Sequence, residues 1–581
     1  MLSEVFTDPK SETSSGASQQ NVHQLHGEEE ERRTAEELHH VESELFAVQE
    51  RVGELLERQS TLESRRTKLQ SALSRVRKSH EVRKSDWSKP CAHDARVLEL
   101  LTNVFGLAAF RSNQREVINC TLAGHDIFCI MPAGGGKSLL YQLPALVTGG
   151  VTLVVSPLIS LIHDQVRQLL NLGIQAVALT SETSKDLIKT VHADMENAGS
   201  QLRLVYVTPE RVAKSNQFMS KLEKADKAGR LARIVIDEAH CCSQWGHDFR
   251  TDYQQLFKLK QQFPKVPLLA LTATATTRIQ MDIIQMLNVP GCIRFQSSVT
   301  RPNLRYEVRP KKAQAAAAME DISEEIMRRY QRSDSGIVYC LSQKECEQVA
   351  EHLQSRGVTA QPYHAGMHNT LRAQVHDAWT AGALQVVVAT VAFGMGINKP
   401  DVRFVLHHSI SKSIETYYQE SGRAGRDGQE ADCVVFFRPA DMTRQYCQNP
   451  QTIAKENVYQ IARYALYTHQ CRRVVIAAQF GEPEALACGM CDVCRRDASS
   501  AAKTAPASAS QDVDFSRQAV ALLQRVEQMS RRDQKATLAS LADTWKSVAS
   551  ETGDKIQFTK EMCERLLCHM ILEDVLSEFV Q

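Results

Sequence analysis

Apolar residues along this chain fall into three rhythms. Leu38, Val41, Leu45, Val48, Val52, Leu55, Leu62, Leu69, Leu73 and Val76 recur at three- and four-residue steps, with polar Gln59 and Arg66 at seam positions. Sustained a/d spacing predicts a coiled-coil helix over 31–79 and self-association through it. The alternative is a long helix lying on the protein's own body or left solvated. The second rhythm is a series of short apolar runs alternating with helical patterns: FCIM, TLVVSP, VYVTP, IVIDE and LLALTAT, then GIVYC, VTAQPYH, LQVVVAT, VRFVLHH and CVVFFR. Alternation of this kind predicts an α/β chain with two parallel sheets in tandem, over 97–306 and 307–438. The third is helical periodicity after Asp512, in AVALLQRV and ERLLCHMILEDVL.

Polar stretches separate these parts. Residues 1–30 are rich in Ser, Gln and Glu and read as disordered. Residues 80–96 and the Ala/Ser-rich 499–511 read as linkers. With 581 residues, 43% hydrophobic, the chain is long enough for several cores. Its formal net charge of +1 excludes a purely electrostatic nucleic-acid binder, so any such contact must be local. The 16 cysteines, several of them single within apolar strands, together with no apolar leader, favour free thiols in a reducing compartment and one metal site. No apolar run approaches a membrane span, so no membrane partner is expected.

Candidate chemistry begins at Met131-Pro132-Ala133-Gly134-Gly135-Gly136-Lys137-Ser138, between a strand-like run and a helix-like one. Three glycines let backbone N–H groups approach a polyphosphate at a helix N-terminus, where the dipole favours an anion. Lys137 can reach the outer phosphates and Ser138 can ligate Mg²⁺. Asp237 and Glu238 end a second apolar strand, the first to hold Mg²⁺ and the second to orient and deprotonate a water. These residues imply nucleotide hydrolysis. Gly422-Arg423-Ala424-Gly425-Arg426 ends the second series, and an arginine from a neighbouring domain can stabilise charge on a transferring phosphoryl group; the alternative is a solvated basic turn. Cys471, Cys488, Cys491 and Cys494 have the spacing of a closed, structural Zn²⁺ site; the alternatives are disulfides, disfavoured in a reducing compartment, or unrelated thiols. Trp245 and Phe249 lie in a polar loop and can offer stacking faces to unpaired bases; the alternative is core packing.

Taken together these residues resemble the RecQ family of DNA helicases. The likeness rests on MPAGGGKS, Ser156 to Leu161, Thr208-Pro209-Glu210, Asp237 to His240, Thr272 to Ala275, Val388 to Asp401 and Gln419 to Gly428. Its most discriminating piece is CCSQWGHDFR, Cys241 to Arg250, which resembles the family's aromatic-rich loop. The resemblance implies two RecA-like domains, a helical zinc-binding subdomain over 439–498 and a partial winged helix over 512–581. It implies that Arg111 and Gln114 face the nucleotide base, that Arg426 is the finger with Arg423 and Gln419 beside it, and that His240 relays between ATP and DNA. Ser156, Thr208, Gln244, Trp245, Phe249, Arg250 and Thr390 would meet DNA. Three positions depart from the family's pattern: Ala133 for Thr, Asn398 for Asp and Thr251 for Pro. None removes a metal ligand or phosphate donor, so they bear on coupling more than on hydrolysis.

The implied activity is 3′-to-5′ unwinding of single-stranded and partly duplex DNA, driven by Mg-ATP, in the nucleus. Because the sequence stops at Phe579-Val580-Gln581, before the family's strand-separating hairpin, strong DNA-stimulated ATPase with weak or absent unwinding is the expectation. An RNA helicase, or a strand-annealing scaffold with a regulatory ATPase, are the competing readings.

Overall fold

The computed structural model describes residues 32–49, 51–55, 58–59, 61–63, 65–66, 86–243, 250–393, 399–448, 452–482, 485–496, 514–552 and 558–577. The first of two units ends at Lys84, and its described residues are helical. Within it Leu38, Val41, Leu45, Val48, Val52, Leu55 and Leu62 stand 48 to 59% exposed. The heptad stripe is thus formed as a helix face, while Leu69, Leu73 and Val76 lie outside the described residues.

The second unit holds two all-parallel sheets. The first contains β1 (Ile127–Ile130), β2 (Val151–Val155), β3 (Ala176–Leu179), β4 (Leu204–Val207), β5 (Leu231–Ile236), β6 (Leu268–Thr272) and β7 (Ile293–Gln296), in the order β3-β4-β2-β5-β6-β1-β7. The second contains β8 (Leu304–Pro310), β9 (Ser335–Tyr339), β10 (Ala360–Tyr363), β11 (Val386–Ala389), β12 (Val402–His407) and β13 (Ala431–Phe437), in the order β10-β11-β9-β12-β13-β8. Strands β1, β2, β4 and β6 are buried at every position, as continuous apolar runs must be when helices cover both sheet faces.

Two boundaries differ from expectation. β8 pairs along its whole length with β13, so the second sheet begins at Leu304 rather than after 306. Residues 86–93 are not a free linker: Asn119 donates to the carbonyls of Trp87 (2.9 Å) and Lys89 (3.1 Å), and Trp87 meets His125 edge-on at 5.3 Å.

Beyond β13 the chain turns helical: α3 (Pro439–Gln448), α4 (Thr452–Leu466) and α5 (Arg472–Gln479) pack into the core of the second sheet. Helices α6 (Ser516–Arg531), α7 (Leu538–Ala542), α8 (Trp545–Thr552) and α9 (Lys560–Leu572) bury their own small core of Leu522, Leu541, Val548, Phe558 and Leu567. The far end of α9 joins the larger core through Cys568, Ile571 and Leu572. No strand lies among described residues 514–577. The helices named here are numbered from α1 (Gln114–Leu122) and α2 (Leu139–Thr148), which flank the glycine run.

Candidate active site and zinc centre

In a parallel sheet the loops that leave the carboxyl ends of the strands share one edge, and that edge collects the chemistry. Here β1 feeds Met131 to Ser138, β2 feeds Ser156, β4 feeds Thr208, β5 feeds Asp237 and Glu238, and β6 feeds Thr272 to Thr274. The glycine run is a tight loop, with Gly134 and Gly136 at φ +75° and +86°. At Gly135 the demand is packing alone: a Cβ there would stand 2.6 Å from Met131 Cγ and 2.9 Å from the Pro132 carbonyl oxygen. Lys137 Nζ folds back to donate to the Met131 carbonyl at 3.3 Å. Ser138 stands at the N-cap of α2.

Arg111 and Gln114 brace this loop. The Gln114 side chain accepts from the Arg111 amide at 2.7 Å and donates to the carbonyls of Gly135 (3.3 Å) and Gly136 (3.2 Å). The Arg111 guanidinium donates to the Gly134 carbonyl.

Burial pushes the Asp237 carboxyl up to about 7, with the adjacent Glu238 adding to the shift and Lys137 opposing it. Two carboxylates beside one lysine are short of positive charge, which is the donor set a divalent cation fits. Glu238 sits in the left-handed region at φ +48°, an unusual conformation for a side-chain-bearing residue and one found at functional turns. Its Oε2 lies 3.3 Å from His240 Nδ1, which is also 3.0 Å from Thr272 Oγ1. Since the Thr272 hydroxyl gives its proton to the Thr274 carbonyl (3.1 Å), Nδ1 is the donor to Thr272. Thr274 Oγ1 in turn accepts from Gln419 Nε2 at 3.2 Å. A polar chain thus runs from His240 through Thr272 and Thr274 to Gln419 on the second lobe, with the Glu238 carboxylate in contact at its first end.

Gln419, Arg423 and Arg426 come from the helix Ile414–Ser421 and the turn after it, and line the same cleft of about 430 Å³ as Lys137, Ser138 and Asp237. A Cβ on Gly134 would stand 3.0 Å from Arg426 Cγ, so the arginine stem lies directly on the glycine loop. Burial, with Arg423 and Arg301 nearby, pushes Arg426 down to about 9, which leaves it charged at neutral pH.

Of the expected DNA-contacting residues, Gln244, Trp245 and Phe249 lie outside the described residues. Arg250 donates to the Pro157 carbonyl at 2.6 Å and so ties the end of that loop to the strand that carries Ser156. Ser156 is buried, Thr208 stands at the N-cap position of the helix Pro209–Lys214 without a side-chain bond to it, and Thr390 follows β11 at the carboxyl edge of the second sheet. Two groups escaped the sequence reading. Tyr253 donates to the Asp237 carbonyl at 2.9 Å, and Arg301 bonds to carbonyls of both lobes.

The sulfurs of Cys471, Cys488, Cys491 and Cys494 lie within 4.8 Å of one another. The Cys471–Cys491 and Cys488–Cys494 pairs are 3.9 and 4.0 Å apart, near the edge of about 3.8 Å expected for a tetrahedron with Zn–S bonds of about 2.3 Å. Amides of Cys488, Cys491 and Cys494 donate to the sulfurs of Cys471, Cys488 and Cys491 at 3.3, 3.2 and 3.5 Å, which stabilises the thiolate form. Four ligands close the site, so the Zn²⁺ is structural.

Fold and cleft define a two-lobed P-loop ATPase of the helicase type. The description DEAD/DEAH box helicase matches residues 111–282, Helicase conserved C-terminal domain matches 317–428, and RecQ zinc-binding matches 438–495. The ATP-dependent DNA helicase Q-like 2 of Arabidopsis thaliana is 49% identical over 497 residues, covering 85% of this chain and 69% of its own. The ATP-dependent DNA helicase Q1 of Mus musculus is 47% identical over 493 residues, covering 83% and 74%. Among solved structures, the DUF1998 helicase MrfA shares the fold with a TM-score of 0.52 at 19% identity, over 64% of this chain and 54% of that one. The chain belongs to the RecQ family of ATP-dependent DNA helicases. It is an enzyme that uses ATP and Mg²⁺ and carries a structural Zn²⁺.

Proposed function

We propose that the chain couples Mg-ATP hydrolysis to 3′-to-5′ movement along single-stranded DNA and separates partly duplex DNA ahead of it. The observation that carries this reading is the split cleft, in which Arg426 of one lobe lies on the glycine loop of the other. In it the loop amides and Lys137 hold the phosphates, Ser138 and Asp237 hold Mg²⁺, and Arg111 and Gln114 turn from bracing the loop to meeting the base. A Mg²⁺ ion held there would supply the positive charge that two carboxylates and one lysine leave lacking beside the phosphates. Glu238 accepts the proton of the attacking water while His240 holds its carboxylate in place. Arg426, with Arg423 and Gln419, meets charge that develops on the transferring phosphoryl group. When the cleaved phosphate departs it takes its negative charge out of the cleft, the lobes lose a reason to stay closed, and the Glu238-to-Gln419 chain carries the change across.

On this reading Ser156, Thr208, Arg250 and Thr390, with Gln244, Trp245 and Phe249, form the single-strand path along the carboxyl edges. The mouse and plant relatives are named DNA helicases, which supports a nuclear site of action and a part in DNA repair or replication. The exposed Leu38 to Leu62 stripe supports a homo-oligomer. The test is ATP turnover with single-stranded DNA, RNA or neither, alongside unwinding of 3′- and 5′-tailed duplexes. Stimulation by DNA is expected, with whatever opening occurs confined to the 3′-tailed duplex. Stimulation by RNA alone, or ATP-independent annealing without unwinding, would overturn the reading.

A further inference from the structure

The connection between the sheets, residues 297–303, is gripped from several sides. The Val299 amide donates to Glu482 (2.9 Å), Tyr418 donates to the Val299 carbonyl (2.9 Å), and Arg473 donates to the carbonyls of Pro302 and Leu304 (both 3.2 Å). From this fixed backbone the half-buried Arg301 spreads its guanidinium over four carbonyls. One belongs to the glycine loop, Ala133 at 3.0 Å. The other three belong to the turn that ends in Arg426: Gly422 at 3.4 Å, Ala424 at 3.1 Å and Gly425 at 2.8 Å. Asn303 adds bonds to Gly425 and Gln429, both 2.8 Å. That turn has no slack, since Gly425 sits at φ +55° and a Cβ there would lie 2.4 Å from Asn303 Nδ2.

We propose that Arg301 is a positioning residue for ATP hydrolysis, holding the 422–426 turn against the glycine loop so that Arg426 is aimed at the phosphates. This rests on the reading of Arg426 as the finger. Its fork satisfies carbonyls in two directions, which a lysine's point charge cannot reproduce. Charge is not what it offers Arg426, because a second cation nearby only disfavours the first. Its contribution is therefore geometric.

The test uses the full chain with saturating single-stranded DNA and compares Arg301→Ala, Arg301→Lys, Arg426→Ala and the Arg301→Ala/Arg426→Ala pair. Arg301→Ala should lower kcat about 100-fold, the cost of a misplaced catalytic group, with KM for ATP changed by less than about threefold. Arg301→Lys should stay well below wild type. The double variant should be no slower than Arg426→Ala alone, since Arg301 acts through that residue. Full activity in Arg301→Lys, or a double variant slowed by the product of the single effects, would overturn the proposal. Normal turnover in Arg426→Ala would instead remove the finger reading, and the proposal with it. Should Arg301→Ala prove insoluble, Arg301→Lys and its pairing with Arg426→Ala carry the same outcomes.

Discussion

The zinc centre and the nucleotide cleft are built on opposite plans. Four thiolates from a single stretch, Cys471 to Cys494, complete the first without help from another domain. The second is split, with Lys137, Asp237 and Glu238 on one lobe and Gln419, Arg423 and Arg426 on the other. A closed site holds its ion permanently and returns the binding free energy as folding stability. A divided site is complete only while the lobes are together, so its ligand's free energy can be expressed as movement. The two centres are nevertheless linked, because Arg473, two residues after the ligand Cys471, holds the backbone that joins the lobes.

Perturbing each centre separately should expose this difference. The largest effect is expected for Cys491→Ser, which removes a thiolate from a type of site whose binding free energies run to roughly 10–16 kcal/mol. The variant should lose its zinc by elemental analysis and become insoluble or melt far below wild type; a stable, zinc-free, active protein would contradict the closed-site account. Next come Lys137→Ala and Glu238→Gln, each expected to cut DNA-stimulated ATPase by about 1,000-fold while the melting temperature and zinc content stay put. Equilibrium binding of a fluorescent nucleotide should separate them, weakened by the lysine change and kept by the glutamine change.

A smaller loss is expected from Gln419→Ala, which breaks the 3.2 Å bond to Thr274. One cross-lobe hydrogen bond of about 1.4 kcal/mol corresponds to about tenfold in kcat, with nucleotide affinity little altered. Smallest of all, deleting residues 31–79 should leave both centres untouched. Light scattering should then report a lower mass at unchanged ATPase, and an unchanged mass would remove the coiled coil.

Much of this was legible in sequence because the chemistry sits in contiguous runs at strand ends. Met131 to Ser138, Asp237 to His240 and the cysteine spacing each declare their partners locally. The central strands were legible for a related reason, since burial on both faces leaves unbroken apolar runs such as those of β2 and β6. The strands left out of the sequence reading, β3, β7 and β8, are all edge strands. In β8, Leu304 and Tyr306 are buried while Arg305, Glu307 and Arg309 engage in ion pairs, so its run alternates and resembles a loop flank. Arg301 was illegible for a third reason. Its partners at 133 and 422–425 are backbone carbonyls far away in the chain, and a carbonyl has no letter in a sequence.

The amide-to-sulfur bonds of the zinc knuckle also shape how the protein meets oxidants and electrophiles. Each such bond draws electron density from a coordinated sulfur, and a zinc-bound, hydrogen-bonded thiolate attacks alkylating agents slowly. Of the 16 cysteines, four are the ligands, ten others are buried, Cys91 is half-shielded and Cys447 alone is exposed. Toward a thiol reagent the folded molecule therefore presents essentially one nucleophile. A mass shift of a single adduct under mild labelling reports an intact knuckle, and a sudden gain of four more reports that the metal has left.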